Sequence, residues 1–269
     1  ASSTGPTAAD DDDDEPITAA AGIYFVSDTS NGPRLFREFQ AVTPSSDPAV
    51  KVLVALRRLT ADVGPVDPDY ETLWPADSFE SVRVEDGRVV VVLGTDRALA
   101  PTPVEAEGRY GVQQAVYTAE AAISQTLPVS FEYDGRVARW VLGTRVGAVV
   151  DRDRSYDLTA PVNITDPAEN LAVDTGVLLA NGTQADNVRR VDWSLTQNGV
   201  VVRSGRAVPT DITGPDARAT LGAPGWETGP IDLSGLPPGS YVFRVTTTVE
   251  GQTSDRPSEF SDTRTITVR

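Results

Sequence analysis

The side chains able to do chemistry in this sequence are carboxylates and aromatic rings. Aspartate and glutamate outnumber lysine and arginine 39 to 23, and neither histidine nor cysteine occurs. Without imidazole or thiol there is no Ser-His-Asp or Cys-His arrangement, no thiolate site and no disulfide. Carboxylates then remain as acid and base, as in glycosidases, where two face each other across a cleft. The acids here fall mostly in turns and caps, where solvation accounts for them, and spacing along the chain identifies no opposed pair. Asp10 to Glu15 form one contiguous acidic run. A calcium loop needs spaced ligands and a glycine turn, which this run lacks, so residues 1–20 read as a disordered acidic tether. No catalytic, cofactor-binding or metal-binding residue is assigned, no cofactor is expected, and the chain is expected not to be an enzyme.

Three aromatics, Tyr70, Trp74 and Trp226, are the residues best suited to contact a ligand. Tyr70 and Trp74 lie in the proline-punctuated stretch VDPDYETLWPAD, residues 66–77. Exposed in a row, such rings stack on sugars; turned inward, they plug the edge of their own core.

The elements that must position these residues are legible from periodicity. Val112, Ala115, Val116, Ala119 and Ile123 recur at helical spacing, with Arg109, Gln113, Gln114 and Glu120 on the other sides. The spacing predicts a helix with one buried face. Pro128 blocks its continuation, and Val129, Phe131 and Tyr133 alternate with polar residues as a half-buried strand. Upstream, Ile23 to Val26 is continuously apolar and is expected at the centre of a sheet. Leu35 to Val42 returns beside it. Asp47 caps a helix with Pro48 at its first position, and Val52, Leu56, Leu59 and Val63 form its stripe. Phe79 to Glu85 and Arg88 to Leu93 form a hairpin about Asp86-Gly87. The order predicts two helices against one mixed sheet, an α+β domain over 21–157. Residues 136–157 have no assigned role, although Trp140 to Leu142 and Val146 to Val150 are candidate strands.

Beyond that boundary the helical period disappears. Strands are expected at 162–165, 173–180, 190–197, 200–208, 217–221, 226–233, 241–249 and 264–268, separated by Gly, Asn, Asp and Pro turns. This is an immunoglobulin-like β-sandwich over 158–269. Trp193 alternates with Val191 and Leu195 and should point inward. In LPPGSY, residues 236–241, Tyr241 is placed as a tyrosine corner.

Size and charge agree with two domains. The chain has 269 residues, too many for one typical core, and a formal charge of -16 that repels phosphate backbones, so no nucleic-acid partner is expected. No apolar run approaches the ~20 residues of a membrane span. The sequence begins at Ala1 without methionine and reads as a trimmed or mature fragment.

The first region resembles the GerMN domain of spore-germination and actinobacterial lipoproteins. The resemblance is carried by IYFV at 23–26, VLVALRRL at 52–59, VRVEDGRVVVVL at 82–93, QAVYT at 114–118 and VSFEYDG at 129–135. The second resembles the immunoglobulin-like domain of bacterial spore germination, through APVNITDPAEN at 160–170, VDWSL at 191–195, PGW at 224–226, LPPGSYVFRV at 236–245 and TITV at 265–268. The resemblance implies an extracytoplasmic cell-envelope protein, with a ring-building-like first domain, that acts as a scaffold toward envelope proteins. A peptidoglycan or polysaccharide-binding module is the alternative. It also implies membrane attachment only through a lipid on a cysteine preceding Ala1.

Overall fold

A computed structural model describes residues 19–102, 107–155, 158–174, 176–210, 224–249 and 258–269. The stretch expected as a tether lies outside these residues, except Ala19 and Ala20. So does the strand expected at 217–221.

The chain opens with two long paired strands, β1 (Ala19–Thr29) and β2 (Gly32–Val42). Helix α1 (Pro48–Leu59) follows, and the Asp47 carboxylate accepts from the Ala49 amide at its start. The helix ends at Leu59 with Thr60 as its cap, so Val63, expected on the buried stripe, lies outside the helix and is 70% exposed. Next come β3 (Phe79–Glu85), β4 (Arg88–Leu93), a short 3-10 turn, α2 (Glu107–Ile123), β5 (Val129–Tyr133) and β6 (Arg136–Val137). A small hairpin, β7 (Trp140–Val141) and β8 (Thr144–Arg145), closes this part.

The strands expected to share one sheet divide in two. β3, β4, β5 and β6 form a mixed sheet, parallel only between β4 and β5, while β1 and β2 stand apart as a ribbon. Ile23 to Val26 is therefore buried without being central in a sheet. Ile23 and Phe25 face the main core, and Tyr24 and Val26 face a second cluster with Tyr117, Ala121 and Leu158. The outer edge of β1 is satisfied by other means: the Tyr24 amide donates to Thr118 Oγ1, and Val26 exchanges main-chain bonds with Glu71.

That arrangement also changes α2. Its apolar stripe is buried as its period predicts, yet Gln113, Gln114 and Glu120 are buried too. The Gln114 amide donates to Tyr24 O and Glu71 O, and its Oε1 accepts from Leu73 N. The helix packs against neighbours on more than one side, and its polar residues serve the ribbon and loop.

The second part is a β-sandwich. One sheet has the order β10 (Leu171–Val173), β17 (Ser258–Val268), β16 (Gly239–Val249), β12 (Val191–Gln197), β13 (Val200–Arg206). The other has the order β14 (Val208–Thr210), β15 (Gly225–Asp232), β11 (Val177–Gln184), β9 (Val162–Asp166). Inward residues of both sheets, with Trp226, Tyr241 and Phe243 among the bulkiest, form one core. The Tyr241 hydroxyl donates to Pro237 O at 2.6 Å, the tyrosine-corner bond. Trp193 points toward that core but stays only partly buried, lying over Gly205, where an added Cβ would sit 2.7 Å from the indole. The core of the first part draws on residues 21–146 and that of the second on 162–268.

Candidate functional site

The two cores meet across a polar seam rather than an apolar one. Asp67 and Tyr70 come from the loop after α1, Asn163 and Ile164 from β9, and Asp262 and Arg264 from β17. The Arg264 guanidinium donates to Asp67, to Asp262 Oδ1 at 3.1 Å, to Tyr70 Oη at 3.1 Å and to Ile164 O at 3.2 Å. Asp262 also accepts from the Tyr70 hydroxyl at 2.9 Å, Asn163 Nδ2 at 3.1 Å and the Ile164 amide at 2.6 Å. Two buried carboxylates share one guanidinium, which leaves a surplus negative charge. Burial raises the Asp67 carboxyl to about 7 against the pull of Arg264. Burial would lower Arg264, but Asp262, Tyr70 and Asp67 together raise it, and burial holds the Tyr70 phenol well above its ordinary value.

Other bonds extend the seam. β2 is clamped by Leu158 O on the Leu35 amide and by Leu35 O on the Ala160 amide, while Asn163 Oδ1 accepts from the Arg37 amide. At the ribbon's turn, Asn31 Nδ2 donates to Glu259 O, and the Arg34 guanidinium lies 5.3 Å over the Phe260 ring.

Beside this seam a cleft of about 890 Å³ opens between the far end of the ribbon and the sandwich. Ala19 to Gly22, Arg37 and Lys51 line one side; Thr165, Asp166, Asn181 and Glu227 line the other. Two of its carboxylates serve the fold. Glu38 accepts from the Val66 and Asp67 amides, and Glu169 accepts from the Thr265 amide at 2.6 Å.

The three aromatics expected to contact a ligand are buried. Tyr70 is 6% exposed and stacks on Phe36 at 5.2 Å; Trp74 is 3% exposed, with its indole N–H donating to Gly111 O. Trp226 belongs to the cleft wall, but it is 1% exposed and donates to Thr183 O. None presents a free face to a sugar, because each ring fills a core and its polar atom is bonded. The tryptophan that does present a face is Trp140, 55% exposed on β7, with Arg145 directly opposite on β8 and Arg139 adjacent. Its signal in the sequence was local charge: Arg136, Arg139, Arg145, Arg152 and Arg154 crowd one stretch of an acidic chain.

Another buried carboxylate, Glu120 on α2, faces Arg152 at 3.4 Å and is raised by burial to about 7, with Arg152 opposing. Among the described residues, no group of three or more Asp or Glu side chains is placed to hold a metal ion, and no helix is long and apolar enough to cross a membrane.

No family model matches the chain, and no curated protein matches it. Among solved structures it is similar to the tandem GerMN domains of the sporulation protein GerM from Bacillus subtilis, at 15% identity over 68% of this chain and 57% of that one, with a TM-score of 0.39. It is also similar to an engineered protein, at 14% identity over 60% and 36% of the two chains and a TM-score of 0.30. A modular endo-beta-1,4-mannanase from Cellulomonas fimi gives 14% identity over 66% and 39%, with a TM-score of 0.26. The chain thus spans 57% or less of each of these three structures.

Proposed function

We propose that this chain is a non-catalytic scaffold of the cell envelope, outside the cytoplasmic membrane, of the GerMN and immunoglobulin-like sporulation and germination type, which binds envelope proteins. A lipid anchor preceding Ala1 belongs to the same reading. The supporting observation is the cleft lined from both parts of the chain, beside a buried seam that fixes one part against the other. The engagement of Glu38 and Glu169 with main-chain amides favours binding over acid–base work in that cleft. Chemical crosslinking in intact cells tests the proposal. Discrete adducts with extracytoplasmic proteins are expected, and a chain found only unlinked and in the cytoplasm would end it.

The second reading, a cell-wall polymer binder, is favoured by one feature, the exposed Trp140 face between Arg139 and Arg145. An indole face stacks on a sugar ring while guanidinium groups pair with anionic substituents. Retention on purified cell wall that disappears with Trp140→Ala supports it, and equal retention of both proteins removes it.

A further inference from the structure

Arg37 is the least explained charge in the cleft. It is 4% exposed, and its Nε is buried without a hydrogen-bond partner. One terminal nitrogen donates to Thr165 Oγ1 at a long 3.3 Å, and the guanidinium lies 4.8 Å over the Phe39 ring. It makes no ion pair with any described carboxylate. A buried guanidinium left in this state is unfavourable unless an anion completes it. Gly22 gives it room, since a Cβ there would sit 3.1 Å from Arg37 Cδ.

The cleft limits what that anion is. Glu38, Asp166, Glu169 and Glu227 line it, and among the described residues Lys51 is its one other cation outside the Arg264 network. A doubly charged phosphate meets repulsion there, whereas a single carboxylate matches a guanidinium fork with little surplus charge. The edge of β1 supplies a second recognition element. Tyr24 and Val26 direct their main-chain groups away from β2, so by strand alternation Ala20 and Gly22 do the same. No strand or side chain among the described residues bonds those outward groups; Gly22 is buried beside Ala121 of α2, whereas Ala20 is exposed, and Ala19 to Gly22 carry only small side chains along the cleft.

We propose that the cleft binds the C-terminal carboxylate of an extended peptide segment. Arg37 takes the carboxylate, and the exposed edge of β1 at Ala20 takes the peptide backbone as the start of an added strand. The proposal rests on the reading of the chain as a protein-binding scaffold and names the chemistry of its partner.

The test immobilises the intact chain and offers an equimolar library of acetylated hexapeptides, randomised in sequence, as free acids and as C-terminal amides. Free acids should be retained at least tenfold over amides, and Arg37→Gln should abolish the preference. Titration of the retained pool should shift the Arg37 Nε–H and Ala20 amide resonances of the unmodified protein, which keeps the test open if Arg37→Gln does not fold. Equal retention of acids and amides overturns the proposal, as does retention no greater than on a blank surface. Stronger displacement by digalacturonate or by inorganic phosphate than by the peptide acids overturns it as well. If in-cell adducts persist in an Arg37→Gln strain that still folds, this site fails while the scaffold reading stands.

Discussion

Arg264 and Asp67 are 197 positions apart in the chain, yet their charged groups are hydrogen-bonded and both side chains are 3% exposed. Truncating Arg264 leaves Asp67 and Asp262 buried without their cation, whereas loss of the Asp67 charge leaves Arg264 paired with Asp262 at 3.1 Å. Arg264→Ala is expected to cost about 3–5 kcal/mol of unfolding free energy, the usual penalty for breaking a buried pair. Asp67→Asn, which keeps the shape and removes the charge, should cost much less. Denaturant titration of both variants checks the ordering.

Two buried carboxylates, one in the seam and one on α2, make stability depend on pH. Asp67 and Glu120 would lose their protons near 3.8 and 4.5 when unfolded, but each is held to about 7 in the fold. Between those values the native state binds more protons, so unfolding free energy falls as pH rises, by up to about 1.4 kcal/mol per pH unit per group. Asp153 acts the other way. Burial raises it, but hydrogen bonds from Ser155 and Arg109 outweigh that and leave it lowered, so its contribution is lost only as pH falls through its depressed value. Subtracting the stability profile of Asp67→Asn from that of the parent should isolate a slope confined to the window from about 4 to 7. A flat difference would contradict the assignment.

Tyr241→Phe should lower stability by about 1 kcal/mol, the net value of the single bond to Pro237 O. The readout is the unfolding midpoint, and an unchanged midpoint would remove the corner from the account.

Gly182→Ala probes the cleft wall. Its Cβ would fall 2.0 Å from Asn163 O and 2.5 Å from the Trp226 ring, so β9 and the indole must both move. A loss of about 1–3 kcal/mol is expected from this overpacking, with perturbed Trp226 fluorescence.

Much of the fold was legible in local pattern, and the junction was not. The β3–β4 hairpin bounds, the Asp47 cap with Pro48 and the Tyr241 corner each follow from residues a few positions apart. Gln114 and Glu120 show where pattern stops. A helical period identifies one buried face, but a second packing surface is invisible until the ribbon is placed beside it. For the same reason Tyr70 reads as a loop aromatic, although its hydroxyl meets Asp262 192 positions later. The exposed indole of Trp140 was missed because a two-residue strand carries too little period to tell inside from outside.

The cleft keeps its shape only while both parts of the chain hold their orientation. Calorimetric unfolding of the intact chain asks this directly. One cooperative transition is predicted for the parent protein, separating into two in Arg264→Ala as the seam is lost. Two independent transitions in the parent, unchanged by that substitution, would contradict it.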